Sequence, residues 1–183
     1  MLEPLFSPFP EIETERLFLR CIEKTDAPAI LFLRSDEMVM QYIDREKTKT
    51  LEEAEIWIQM IRDALDTHEG ILWAITLIDE PDILIGTISF WRLIKQHYRA
   101  EVGYMLHPDY WNKSIMKEAL RVVVNYGFTV MKLHSIEAHI NPENTASASL
   151  LVKSGFIREA YFKEDFFFRG RFIDSAVFSL LAP

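Results

Sequence analysis

The chain predicts a mixed α/β (α+β) fold, a mostly antiparallel central sheet with helices on both faces, and three features of the sequence carry that prediction. Three strand-like runs, "ILWAITLI", "ILIGTISFW" and "YRAEVGYML", follow one another, the first pair separated by the turn residues "DEPD", which favours an antiparallel meander. A long helical pattern over 113–130 then leads into another strand-like run, "HSIEAHI", and strand, helix, strand in that order is a parallel crossover unit. Two helical patterns between the first strand and the meander supply a cover for one sheet face.

Each element has a local cause. "ERLFLRCI" alternates Leu17, Leu19 and Cys21 against Arg16, Phe18 and Arg20, a strand with one protected face. "KTDAPAILFLRS" offers Thr25 or Asp26 as a helix cap, with Pro28 in the first turn where its missing amide does little harm. Thr50 and Glu53 form a capping-box pattern ahead of the stripe Ala54, Trp57, Ile58, Ile61 and Leu65, which ends before Gly70. Over 113–130, Met116, Ala119, Leu120, Val123, Val124 and Phe128 share one helical face. A shorter helix over 145–153 ends at "KSGF", where Gly155 takes a left-handed cap conformation. The tail "FFFRGRFIDSAVFSLL" reads as two strands around a turn at Arg169 and Gly170.

Composition narrows the function classes. The 183 residues are 49% hydrophobic and 26% charged, without repeat or linker, which fits a single domain over 1–183. A formal net charge of −8 argues against broad attraction to nucleic acid or anionic membrane, although a local basic patch survives such an average. Cys21 is the only cysteine, so no intrachain disulfide or thiolate cluster forms, and a cytoplasmic setting is expected. The start of the chain lacks the pattern of a signal peptide, and no window reaches the apolar length of a membrane span. His68, His97, His107 and His134 share no compact spacing with paired acids, so no metal is expected.

Two short segments carry the candidate chemistry. "WNKSI" joins a strand to a helix, where unpaired amides and the positive end of the helix dipole face the crevice beyond the strand. Such a turn can bind phosphate, or it can be a mere helix start. Asn112 tolerates a left-handed backbone, Ser114 is small and Lys113 adds charge, but no glycine fingerprint is present. Trp111 is expected to pack the turn against its own helix. In "HINPENTASASLL", Asn144 or Thr145 caps the short helix. Either Asn144 only caps and Ser147 lies on a solvated face, or both point into the crevice where neighbouring strands part, as ligand or proton-transfer groups.

On "ETERLFLRCIEKTDAPAILFLRSDEMVMQYI", "RAEVGYMLHPDYWNKSIMKEALRVVVNYGF", "LHSIEAHINPENTASASLLVKSGF" and the closing "FFFRGRFIDSAVFSLL", the chain resembles the GCN5-related N-acetyltransferase superfamily, in its RimJ- and RimL-like ribosomal-protein branch. The resemblance implies a sheet splayed open between two parallel strands, and transfer of acetyl from acetyl-CoA to an amine. It implies that Asn112, Lys113, Ser114, Ile115 and Met116 hold the pyrophosphate, that the backbone of Met105 and Leu106 lines the pantetheine arm, and that Asn144 meets its side. Where the family turn usually has glycine, this chain has Asn112 and Ser114. The added Cβ of Ser114 is expected to weaken acetyl-CoA binding without abolishing it. Leu151 stands where many relatives place an acidic tyrosine, and Ser147, one turn earlier, matches the RimL-like donor to the departing sulfur.

The transfer needs a base for the amine and a donor near the sulfur. His139 stands at the strand position where some ribosomal-protein acetyltransferases carry an acidic base, with Glu137 on the same face, and Glu101 is its rival from the preceding strand. A structural histidine is the alternative for His139. The expected acceptor is an amine-bearing peptide, a protein N-terminus or a small polyamine-like molecule, taken by a monomer or homodimer. An alternative is a non-catalytic or weakly active binding or regulatory module, suggested by Ser114 and the missing tyrosine. The rings of "YFKEDFFF" read as strand core or subunit contact, with peptide contact as a further use.

Overall fold

The computed structural model describes residues 1–4 and 6–183. Its elements in order are β1 (Ile12–Glu13), β2 (Leu17–Cys21), α1 (Ala27–Ser35), α2 (Glu37–Met40), α3 (Leu51–Asp66), β3 (Ile71–Leu77), β4 (Gly86–Ile94), β5 (Arg99–Leu106), α4 (Ile115–Thr129), β6 (Ser135–Ile140), α5 (Thr145–Lys153), β7 (Ile157–Phe168) and β8 (Arg171–Leu181). One eight-stranded sheet runs β1-β2-β3-β4-β5-β6-β8-β7. Every neighbouring pair is antiparallel except β5 and β6, the pair joined by the α4 crossover.

Strand alternation sorts the side chains onto two faces. Ala100, Val102, Leu106, Ile136 and Ala138 are buried in the cluster that holds Ile115, Ala119, Leu120 and Val123 of α4. The other face carries Leu72 and Ala74 against Ile30 and Leu33 of α1 and Ala54, Ile58 and Ile61 of α3. Trp91 and Met105 pack on this second cluster, so Glu101, with the parity of Met105, faces the α1 and α3 side.

The caps largely follow their local signals. Thr50 Oγ1 accepts from the Glu53 amide at 3.2 Å, and Glu53 reaches back to the Lys49 amide at 2.7 Å, one residue short of the reciprocal box. Asp26 precedes α1 without making a side-chain cap bond. Its buried carboxylate instead binds Arg20 at 2.8 and 2.9 Å and the Glu23 amide at 2.8 Å, because a nearby guanidinium offers two charged donors at once. Gly155 has φ +91° at the end of α5, the left-handed cap expected there.

Several boundaries differ. The crossover helix starts at Ile115 rather than at 113, since Asn112 and Ser114 both adopt left-handed backbone. The closing hairpin is longer than the tail alone suggests, because β7 begins at Ile157. Tyr161, Phe162, Phe166 and Phe167 on β7 are exposed, which corrects the strand-core reading of that run: β7 is the outer strand of the sheet, and no helix covers its rings. No helix among the described residues is long and apolar enough to cross a membrane.

Candidate active site

The parallel pair β5 and β6 is in register only from Arg99↔Ser135 to Glu101↔Glu137. Beyond that point β5 continues to Leu106 alongside β4, and β6 continues to Ile140 alongside β8. The two strands therefore part, and each keeps one backbone edge that no strand pairs. Unpaired edges of this kind accept extended polar chains.

Glu101 and Glu137 sit side by side where the opening begins, on the face toward α1 and α3. His139 shares their face, and its Nε2 lies 3.4 Å from Glu137 Oε1. One ligand atom from each of the three residues lies within 4.8 Å of the others. The two bases that compete in the sequence thus belong to one group, with Glu137 between them. Glu137 is 6% exposed. Its charge is countered by an ion pair with Arg99, while Arg92 binds Glu101 at 3.1 Å. Both carboxylates already hold guanidinium partners, which offsets the repulsion that gathering them would otherwise build up.

The opposite face of the opening holds a second pair. Tyr104, one strand position out of phase with Glu101, reaches the Ser147 hydroxyl of α5 at 2.7 Å. Ser147 is 7% exposed, so the solvated-face reading of that serine does not hold. Asn144 Oδ1 accepts from the Ser147 amide at 3.0 Å and caps α5, which leaves its NH2 group free to meet a ligand. Burial pushes the Tyr104 phenol up to about 12, against the opposing effect of the Ser147 hydrogen bond. Tyr104 is therefore neutral at physiological pH, and either hydroxyl can be the donor in its contact with Ser147. Leu151 is fully buried and contributes packing only.

The turn after β5 solves its lack of glycine by strain. Asn112 and Ser114 both have φ +59°, a conformation that costs an L-residue about 1–2 kcal/mol. The amides of Lys113, Ser114, Ile115 and Met116 have no hydrogen-bond partner among the described residues, and they open onto the start of α4, an arrangement suited to phosphate. Arg16 Nη1 holds the Lys113 carbonyl at 3.0 Å, and Arg16 Nε and Thr14 Oγ1 bind Glu118 at 2.8 and 2.6 Å. Burial raises the Glu118 carboxyl, but the bonds from Thr14 and Arg16 outweigh it and leave it below its ordinary range. Trp111 is also tied to the strand before the turn. Its Nε1 donates to the Leu106 carbonyl at 2.8 Å and ties the turn to β5.

Ser114→Gly is expected to stabilise the fold by about 1 kcal/mol, by relieving the left-handed strain, and to tighten acetyl-CoA binding several-fold through closer phosphate approach. Thermal melts and a ligand titration check both effects. No gain in either would remove Ser114 as a limit on affinity.

Tyr104, Glu137 and Arg16 are the residues that the sequence reading did not assign. Strand parity alone could have placed Tyr104 opposite Glu101. Its partner lies 43 residues away, and Arg16 lies 97 residues from the carbonyl it holds, so neither contact has a local signal.

The chain is similar to known acetyltransferases over most of its length. The model of the acetyltransferase (GNAT) domain family matches residues 16–157. An uncharacterized N-acetyltransferase, YoaA of Bacillus subtilis, is 37% identical over 96% of this chain and 98% of its own. A GNAT-family acetyltransferase from Bacillus anthracis superposes with a TM-score of 0.83 at 34% identity, covering 94% of this chain and 98% of that one. Among relatives named for an acceptor, the spermidine N(1)-acetyltransferase of Vibrio cholerae is 26% identical over 87% of this chain and 89% of its own. The ribosomal protein uS5-alanine N-acetyltransferase of Escherichia coli is 30% identical over 57% and 54%.

Proposed function

The chain belongs to the acetyltransferase (GNAT) domain family and is an acetyl-CoA-dependent N-acetyltransferase, and from that premise we propose that its acceptor is the N-terminal amine of a peptide or protein, ribosomal proteins included. The reading takes residues 1–183 as one catalytic domain working in the cytoplasm. The observation that carries it is the division of labour across the opening: Glu101, Glu137 and His139 on one face, Tyr104 and Ser147 on the other. Acetyl-CoA supplies the acetyl thioester. The amides of Asn112, Lys113, Ser114, Ile115 and Met116 would hold its pyrophosphate, the free edge at Met105 and Leu106 its pantetheine arm, and Asn144 the side of that arm.

An ammonium on the α1 and α3 face would lose one proton to the Glu101, Glu137 and His139 group and through it to solvent, its lone pair would attack the thioester carbon, and the second proton that the nitrogen sheds in becoming an amide would leave by the same group. The carbon–sulfur bond breaks toward the opposite face, where Ser147 hydrogen-bonds the departing sulfur and Tyr104 supports Ser147. A thiol near pKa 8.5 is a much stronger acid than a phenol raised to about 12. The pair therefore stabilises thiolate by hydrogen bonding, and the final proton comes from solvent.

A peptide amine suits this base better than a polyamine. An α-amine has a pKa of about 7.7–8.0, against roughly 10.4 for a lysine-like amine, so far less proton affinity must be overcome at neutral pH. Arg92 and Arg99 also neutralise the carboxylates that a polycation would need. The test is acetyl-CoA-dependent thiol release with N-terminal peptides of ribosomal proteins and with spermidine. Turnover on the peptides is expected to exceed that on spermidine, and turnover on spermidine alone would overturn the assignment.

A further inference from the structure

Beside the amine-side group lies a cleft of roughly 420 Å³, walled by α2, the loop that follows it and the tip of the β7 and β8 hairpin. Its position relative to the base is set by the chain. Asn141 directly follows β6, two residues after His139, and its side chain lies near enough to Asp44 in the cleft wall to oppose the rise that burial imposes on that carboxyl. Two extended residues span about 6.6 Å, and Arg171 acts on Asp44 from farther along the wall.

The cleft runs against the charge of the whole molecule. Although the chain carries −8, the lining has four basic side chains, Arg45, Lys47, Arg169 and Arg171, against two acidic ones, Glu37 and Asp44. Arg169 is paired with Glu46 at 3.0 Å and Lys47 with Glu37 at 3.7 Å. Arg45 and Arg171 have no carboxylate within salt-bridge distance among the described residues. The surplus is felt nearby: Arg34 is lowered first by its own burial and then by the charge of Arg45. A polyamine would meet this wall as a like charge, whereas a carboxylate would find two guanidinium groups that no acid holds in an ion pair, with Asp44 the one unpaired acid of the lining.

We infer that the cleft is an acceptor subsite for acidic side chains, so that this enzyme prefers peptides with an N-terminal amine followed by Asp or Glu within the second to fourth positions. The inference rests on the peptide-amine reading above. Each extended residue covers at most about 3.3–3.6 Å, so three residues beyond the amine span at most about 10–11 Å, and the second to fourth positions are the ones that can meet a subsite past the end of β6. The α2 loop and the hairpin tip, joined by the Arg169 and Glu46 pair, then form one specificity surface from two distant parts of the sequence.

The test uses peptides with the same N-terminal alanine, followed by three acidic, three neutral or three lysine residues, together with spermidine. For the wild-type chain, kcat/KM on the acidic peptide is expected to exceed that on the neutral one by about tenfold, with the lysine peptide slowest, and the gap should shrink in high salt. The double variant R45E/R171E should bring the acidic-to-neutral ratio to one or below, while R45K/R171K should keep it above one. Peptides acetylated without an acidic preference, or a preference that survives R45E/R171E, would overturn the subsite and leave the peptide reading standing. Spermidine acetylated with no peptide turned over would overturn the peptide reading itself. Fluorescence anisotropy of labelled acidic and neutral peptides then decides the cleft: tighter acidic binding lost in R45E/R171E keeps it, and equal binding removes it.

Discussion

Ser147→Ala is expected to lower kcat by about a hundredfold, the range seen when a donor to developing negative charge is removed. Acetyl-CoA affinity should change little, because the cap from Asn144 is made to the Ser147 backbone amide and survives the substitution. Tyr104→Phe removes only the supporting hydroxyl, so a smaller loss of about tenfold is expected. The informative quantity is the double variant. If the two hydroxyls act through the single 2.7 Å contact between them, Ser147→Ala with Tyr104→Phe should be no slower than Ser147→Ala alone, within a factor of about three. Multiplying losses would mean that Tyr104 reaches the sulfur independently, and full turnover in Ser147→Ala would end the role of the pair. Steady-state kinetics of thiol release measure all four proteins.

The second large effect belongs to Glu137. Glu137→Gln keeps the volume of the side chain but removes the charge between His139 and Arg99, and kcat/KM is expected to fall by about 10² to 10³. The variants Glu101→Gln and His139→Asn should lose less if Glu137 is the proton acceptor. Steady-state kinetics of the three single variants rank them, and the proton acceptor is the residue whose loss costs most. Stability should suffer modestly, by about 1 kcal/mol. Glu137 is buried, but the Arg99 side chain is 43% exposed and returns to water when its partner is lost. A loss in Glu101→Gln or His139→Asn larger than that in Glu137→Gln would move the base to that residue.

Much of the fold was legible because its signals are short-range. The capping residue Thr50, the apolar stripe of α3, the meander of β3 to β5 and the left-handed Gly155 all depend on neighbours within a turn or a strand step. The readings that failed depend on where a segment lies in the sheet. The aromatic run on β7 alternates like a core strand, yet β7 forms the outer edge and its rings face solvent. The bond from Trp111 Nε1 to the Leu106 carbonyl likewise has no counterpart in the local pattern. The candidate site divides in the same way. Asn112 and Ser114 could be singled out by the missing glycines, but only the folded chain shows that both adopt the glycine conformation.

By itself, the sequence determined the order of the longer strands and helices, without the short β1 and α2, the crossover at α4, and the short list of polar residues near the opening, because periodicity and capping are written in residue types a few positions apart. Tertiary structure decided which of those residues work together. Register across β5 and β6 brought Glu101 beside Glu137, and the packing of α5 on the splayed sheet brought Ser147 to Tyr104. Closure of the hairpin on the α2 loop gathered Arg45 and Arg171 into one cleft. Each of these contacts joins residues tens of positions apart, whose pairing depends on the whole sheet closing rather than on any local preference.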